Sequence, residues 1–139
     1  MEEGKAFFCF CTDEELKQKG DKAKMEGGDV RYDGTCHRIS LTEARARIAR
    51  GEKAAIRFKV PSKEYSFNDL VRGEIRFPAE MVGDFVLIRS NGLPIYNYGC
   101  VIDDWLMKIT HVIRGEDHVN NTLRQLMLYE ALNAPIPAF

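Results

Sequence analysis

Apolar and polar positions in the first half of the chain change period several times, and each change marks an element. Residues 7–11, Phe-Phe-Cys-Phe-Cys, are rich in strand formers. Thr12 then stands before Asp13-Glu-Glu15, a capping hydroxyl followed by the acidic first turn that a helix favours, so a helix is predicted over residues 13–25, ending at Gly27-Gly28. Asp33-Gly34 supplies the backbone freedom of a tight turn, and Ser40 or Thr42 opens a second helix that Gly51 closes. From residue 54 the period becomes two: residues 55–60 alternate apolar and basic until Pro61 stops them, and residues 74–77 and 84–89 repeat the theme. Asn91-Gly92 predicts a hairpin joining residues 84–89 to 94–96. Beyond Tyr96 the pattern reads helix (97–106), strand (108–114), helix (119–132), with Asn133-Ala-Pro135 as terminator. These pieces predict a small mixed sheet with flanking helices, then the start of a doubly wound α/β arrangement.

Composition adds the setting. With 139 residues, 45% of them hydrophobic, the chain can form one ordinary domain or two small ones. No apolar run approaches the roughly 20 residues needed to span a bilayer, and Met1-Glu-Glu-Gly-Lys5 lacks the basic start of a signal peptide, so no membrane contact and a cytoplasmic location are expected. Four cysteines, two of them one residue apart, suit reduced thiols or a metal site better than a secreted disulfide framework. A net charge of −1 excludes a bulk polycation yet leaves room for a local patch. Residues 43–59 hold one, with Arg45, Arg47, Arg50, Lys53, Arg57 and Lys59 set against Glu43 and Glu52, which suits phosphate binding although a charge run is more often a solvated helix face.

The densest chemistry lies in Ile109-Thr-His-Val-Ile-Arg-Gly-Glu-Asp-His118, an apolar run with Arg, Glu, Asp and His at its carboxyl end, followed by a helix start. Ligands of open α/β sheets bind at the carboxyl ends of strands, so this knot reads as a site. A second constellation is Cys9 and Cys11, at i and i+2 and hence on one face of a strand, together with Cys36 and His37 after the tight turn. Zinc takes four nitrogen or sulfur donors in a tetrahedron, usually from two pairs, and here the pairs would be Cys9/Cys11 and Cys36/His37. Cys100 reads as a packing residue on its helix.

Residues 109–118, with Gly92-Leu-Pro-Ile-Tyr-Asn-Tyr98 and Val101-Ile-Asp-Asp104, resemble the central part of a bacterial-type glutamyl-tRNA synthetase, a class I aminoacyl-tRNA synthetase. Gly4-Lys-Ala-Phe-Phe-Cys-Phe-Cys-Thr12, Arg31-Tyr-Asp-Gly-Thr-Cys36, Ile56-Arg-Phe58 and Asp69-Leu-Val-Arg-Gly73 fit in the same order, so the likeness covers nearly the whole chain. It implies an α/β protein in which residues 1–93 form the acceptor-stem-binding α+β insertion and residues 94–139 part of a Rossmann-like catalytic fold. The His-Ile-Gly-His and Lys-Met-Ser-Lys-Ser types of signature do not occur, which implies an internal fragment of a monomeric parent, inactive alone.

The resemblance also implies roles. Tyr96 and Arg114 would bind glutamate with Cys100 lining the pocket; Glu116, Asp117 and His118 would meet ATP or the terminal adenosine; Arg45, Arg47, Arg50 and Arg72 would hold tRNA. Magnesium would accompany ATP, and no residue acts as a covalent catalyst. For zinc it implies Cys9, Cys11 and Cys36 with a fourth ligand left open: Arg38 stands where many members have a histidine, His37 is shifted by one, and Tyr32 matches the Tyr-x-x-x-Cys pair of the related glutamyl-queuosine synthetases. Two alternatives remain, a free-standing zinc-stabilised tRNA-binding module and a fragment of a glutamyl-queuosine tRNA(Asp) synthetase.

Overall fold

The computed structural model describes residues 1, 3–78 and 81–139. Glu2, inside the Met1–Lys5 stretch weighed above as a leader, lies outside the described residues. The elements are β1 (Ala6–Cys9), α1 (Asp13–Met25), α2 (Leu41–Ala49), β2 (Ala55–Phe58), β3 (Tyr65–Asp69), β4 (Gly73–Phe77), β5 (Phe85–Ile88), α3 (Tyr96–Leu106) and α4 (Val119–Leu132), with short 3-10 turns at Thr35–Arg38 and Glu116–His118. Helices and antiparallel strands mix as the α/β reading expected.

Chain contacts separate two compact units, Met1–Val60 with Gly83–Leu93, and Pro61–Val82 with Pro94–Phe139. The β3–β4 hairpin, which precedes Leu93 in sequence, groups with the last third of the chain in these units.

The first unit is built on an antiparallel sheet in the order β1-β2-β5. Phe7 pairs with Arg57 and Cys9 with Ala55, so Phe7, Cys9 and Arg57 share one face. Phe58 of β2 stacks near Phe85 of β5, ring centroids 5.3 Å apart. The helix α1 begins as the composition predicts: Thr12 Oγ1 accepts from the Glu15 amide at 3.2 Å while Glu15 Oε2 accepts from the Thr12 amide at 2.8 Å, a reciprocal cap. Ser40 is the cap of α2, accepting from the Glu43 amide at 3.1 Å, and buried Ala44 is the point where that helix meets the fold. After β5, Asn91-Gly92 makes a tight turn with Gly92 at φ +86° and the Arg89 amide donating to the Leu93 carbonyl at 2.8 Å, but no named strand follows it.

In the second unit β3 pairs with β4, Tyr65 opposite Phe77. Strand β3 was not anticipated, although the alternation Tyr65-Ser-Phe-Asn68 carries the period-two signal that would have found it. Helices α3 and α4 pack together, and α4 buries Thr122, Leu123, Gln125, Leu126, Met127, Leu128 and Tyr129, ending at Asn133 in the left-handed conformation. The Tyr129 hydroxyl donates to Asp104 Oδ2 at 3.1 Å, which explains an acidic residue near the carboxyl end of α3, where the helix dipole opposes it. Residues 108–114 do not form the expected strand. A strand needs a ladder, and this stretch has one bridge, His111 beside Ala138, with the Val112 amide donating to the Ala138 carbonyl and the Ala138 amide to the Thr110 carbonyl.

Leu123 is among the most fully buried side chains. Leu123→Ala should lower stability by about 2–5 kcal/mol through lost transfer energy and a residual cavity, read as a lower urea midpoint at unchanged slope.

Candidate functional site

Two constellations emerge, one in each unit. In the first, strand β1 and the loop after α1 bring the Sγ atoms of Cys9, Cys11 and Cys36 within 4.8 Å of one another. Cys11 and Cys36 stand 3.7 Å apart. The Tyr32 hydroxyl completes the group, 3.4 Å from Cys9 Sγ, 3.7 Å from Cys11 Sγ and accepting from the Cys36 amide at 3.0 Å. Asp33 shapes that loop by accepting from both the amide and the hydroxyl of Thr35, and those bonds, together with Lys19, hold its carboxyl well below the usual carboxylate range. Burial pushes the Cys11 thiol up to about 11, and burial likewise raises the Tyr32 phenol. Cys9 also feels burial, yet its hydrogen bonding with Tyr32 and Arg57 outweighs that and brings its thiol below the ordinary value.

His37 is not brought into this group. Its Nε2 lies 2.5 Å from Asp84 Oδ2, and its ring packs edge-on against Phe7 at 4.5 Å. The reason is local: immediately after Cys36 in a 3-10 turn, its side chain points away from the sulfurs toward β5, where Asp84 also accepts from the Val60 amide at 2.8 Å. Tyr32, four residues before Cys36, reaches the sulfurs instead.

The basic stretch divides as well. Arg45 and Arg50 are exposed on α2, Arg50 lying 3.3 Å from Glu52. Arg47 lies over the Phe10 ring at 3.9 Å and pairs with Glu52 at 2.7 Å, so it serves the fold. Arg57, counted in the patch from sequence, is only 8% exposed and stacks on the Tyr32 ring at 4.2 Å, because its place in β2 turns it to the cysteine-bearing face.

In the second unit the knot of polar residues draws together. Tyr96 and Cys100 lie one helical turn apart on α3, and the neighbouring Cys100 thiol holds the Tyr96 phenol above its usual range. Arg114 lies within electrostatic reach of both, while burial draws its guanidinium down from its ordinary value. Arg114 Nη2 donates to Gln125 Oε1 at 2.7 Å, its Cζ lies 4.7 Å from the centroid of the Phe139 ring, and its buried Nε meets no partner among the described residues. Glu116, Asp117 and His118 are exposed in the following 3-10 turn; Glu116 pairs with Arg72 at 2.6 Å, and His118 Nε2 sits 3.5 Å from Asp117. Thus Arg72, expected to hold RNA, and Glu116, expected to meet ATP or the terminal adenosine, are partners of each other. A cavity of about 540 Å³ opens beside Arg114 and Glu116, lined also by Leu70, Arg72, Val112 and Phe139; Tyr96 and Cys100 are not among its lining residues. Gln125, Asn97 and Asp84 were missed in the sequence; a glutamine within the apolar run of α4 is the signal that marks the first of them.

The family of class I tRNA synthetases (E and Q), catalytic domain, matches residues 1–139, and the chain belongs to that family. Among its relatives, a glutamate–tRNA ligase of Bdellovibrio bacteriovorus is 50% identical over 147 residues, spanning 100% of this chain and 28% of that protein. Its counterpart in Bacillus subtilis is 45% identical over 140 residues, again 100% of this chain and 29% of the relative. The crystal structure of a glutamate tRNA ligase from Elizabethkingia meningosepticum in complex with its amino acid superposes with a TM-score of 0.87 at 31% identity, over 96% of this chain and 28% of that one. The chain therefore spans less than a third of the length of these relatives.

Proposed function

We propose that this chain is the segment of a glutamate–tRNA ligase in which an insertion that grips the acceptor end of tRNA, within residues 1–93, runs into part of a Rossmann-like catalytic fold from residue 94. The parent would be a monomeric cytoplasmic enzyme; no helix among the described residues is long and apolar enough to cross a membrane. The observation that carries the reading is Arg114, a half-buried cation whose Nε has no partner among the described residues, beside Tyr96 and Cys100. A planar guanidinium can hold a carboxylate by two parallel charge-assisted bonds, and a phenol can add a third.

In the reaction, a glutamate carboxylate attacks the α-phosphorus of magnesium-bound ATP and pyrophosphate leaves; a ribose hydroxyl of the terminal adenosine then attacks the activated carbonyl and AMP leaves. No protein nucleophile is needed, because positioning and charge stabilisation govern both steps. Arg114 and Tyr96 orient glutamate, Cys100 lines the pocket, and Glu116, Asp117 and His118 face ATP or the terminal adenosine. In the parent, Arg114→Ala should nearly abolish glutamate-dependent exchange between ATP and pyrophosphate, since losing a buried charge-assisted partner costs on the order of 2–5 kcal/mol, and Arg114→Lys should rescue poorly. Near-normal exchange in Arg114→Ala would remove the pocket from this position.

Cys9, Cys11, Cys36 and Tyr32 suit zinc. Two thiolates on one tetrahedral zinc stand ~3.8 Å apart given ~2.3 Å bonds, close to the 3.7 Å between Cys11 and Cys36. Bound there, zinc would act structurally, tying β1 to the loop that carries Tyr32 and Cys36. Tyr32 as fourth ligand is also the one observation favouring the narrower alternative, a glutamyl-queuosine tRNA(Asp) synthetase fragment. The protein should hold close to one equivalent of zinc; Tyr32→Phe should speed its loss to a chromophoric chelator, whereas His37→Ala should not. Elemental analysis finding no zinc after refolding with excess metal would remove the site.

For tRNA, the exposed Arg45 and Arg50 on α2, with Arg72 on the β3–β4 hairpin, are the phosphate contacts, and Arg47 is set aside as a packing residue. Reversing charge at Arg45 and Arg50 should weaken acceptor-stem binding and flatten its salt dependence, by a slope of roughly 0.7–0.9 per phosphate lost. Unchanged affinity and slope would show a merely solvated face.

A further inference from the structure

Arg114 stands at the head of a hydrogen-bonded chain that nothing in the reaction scheme yet uses. Its Nη2 donates to Gln125 Oε1 at 2.7 Å; Gln125 Nε2 donates to Asn97 Oδ1 at 3.2 Å; Asn97 Nδ2 donates to Asn121 Oδ1 at 3.4 Å; and Asn121 Nδ2 reaches His118 Nδ1 at 3.1 Å. The direction of every link follows from the first. A guanidinium can only donate, so the oxygen of Gln125 must face it, which leaves the Gln125 amide hydrogens for Asn97, those of Asn97 for Asn121 and those of Asn121 for His118. His118 Nδ1 then receives the last link, and its Nε2 lies 3.5 Å from Asp117. Gln125 is 2% exposed and Asn97 8%, so the first links are shielded from water.

The chemistry of the first partner is what matters. Among the described residues no carboxylate lies within ion-pair distance of Arg114; Asp104 acts on it only from farther away and accepts from the Tyr129 hydroxyl. A buried guanidinium would ordinarily be given a carboxylate. Here it receives a neutral amide on one edge and the Phe139 ring on its face. An amide oxygen fixes the orientation of the guanidinium without cancelling its charge, so the full attraction stays available for an incoming anion.

We propose that Gln125 is a positioning residue for glutamate binding: it aims Arg114, and its neutrality keeps that cation free for the substrate carboxylate. This rests on the reading of Arg114 as the carboxylate partner. Gln125→Glu keeps the shape and supplies a built-in counter-ion, whereas Gln125→Met keeps the charge of Arg114 and removes only its guide. In a full-length synthetase carrying this segment, glutamate and ATP affinities would be measured by calorimetry, with thermal melting alongside. Gln125→Glu should weaken glutamate at least tenfold while ATP stays within twofold and melting does not fall. Gln125→Met should weaken glutamate less than Gln125→Glu does. A purely structural role predicts lowered melting in both variants with glutamate affinity unchanged, and that result would overturn the proposal. If Gln125→Glu leaves glutamate within twofold of the parent while Arg114→Lys weakens it, the role of Gln125 fails and the pocket stands. If Arg114→Lys also leaves glutamate unchanged, the pocket reading itself fails.

Discussion

Taking a guanidinium out of water is the constraint around which both units are arranged. Arg57 in the first and Arg114 in the second each leave Nε buried without a partner among the described residues, and each lies over an aromatic ring, Tyr32 at 4.2 Å and Phe139 at 4.7 Å. Stacking of this kind contributes on the order of 0.5–2 kcal/mol and cannot replace lost hydration by itself. Such positions are tolerated where anionic groups gather, and both cations stand beside a candidate site: Arg57 beside three cysteines, Arg114 beside a pocket suited to a carboxylate.

The first unit shows how a small sheet organises a metal-type cluster. Register puts Phe7, Cys9 and Arg57 on one face. Tyr32 then settles between them, 5.9 Å from the Phe7 ring, with its oxygen among the sulfurs. His37 is recruited to a different task. Through Asp84 it ties the 3-10 turn to the chain entering β5, and the same carboxylate caps the amide of Val60 at the end of β2. One histidine thus links elements far apart in sequence.

In the second unit the buried face of α4 does the corresponding work. Leu123, Leu126 and Tyr129 are core residues, and Gln125 sits among them as a polar insert that pays its desolvation through Arg114 and Asn97. The hairpin β3–β4 closes on the end of the chain, with Phe67 5.7 Å from Phe139 and the Leu70 amide donating to the Phe139 carbonyl at 2.8 Å. That closure carries Arg72 to Glu116, residues 44 positions apart.

Local chemistry was legible without any fold. Thr12 with Glu15, Ser40, and Asn133 each carry the end of a helix in their own side chain or backbone preference, so α1 and α4 ran between the residues expected. The motif around Arg114 and the cysteine spacing were equally readable, because they lie within short stretches whose residue types alone suggest the chemistry. Partner choice was not. The sequence left His37 and Tyr32 both open as partners of the cysteines, while the fold set Tyr32 among the sulfurs; charge put Arg57 and Arg47 in a phosphate patch, while the sheet face buried one and a neighbouring ring engaged the other. Residues 109–114 have the composition of a strand, but a strand exists only where another backbone meets its amides and carbonyls, which is a property of the folded chain and not of the segment.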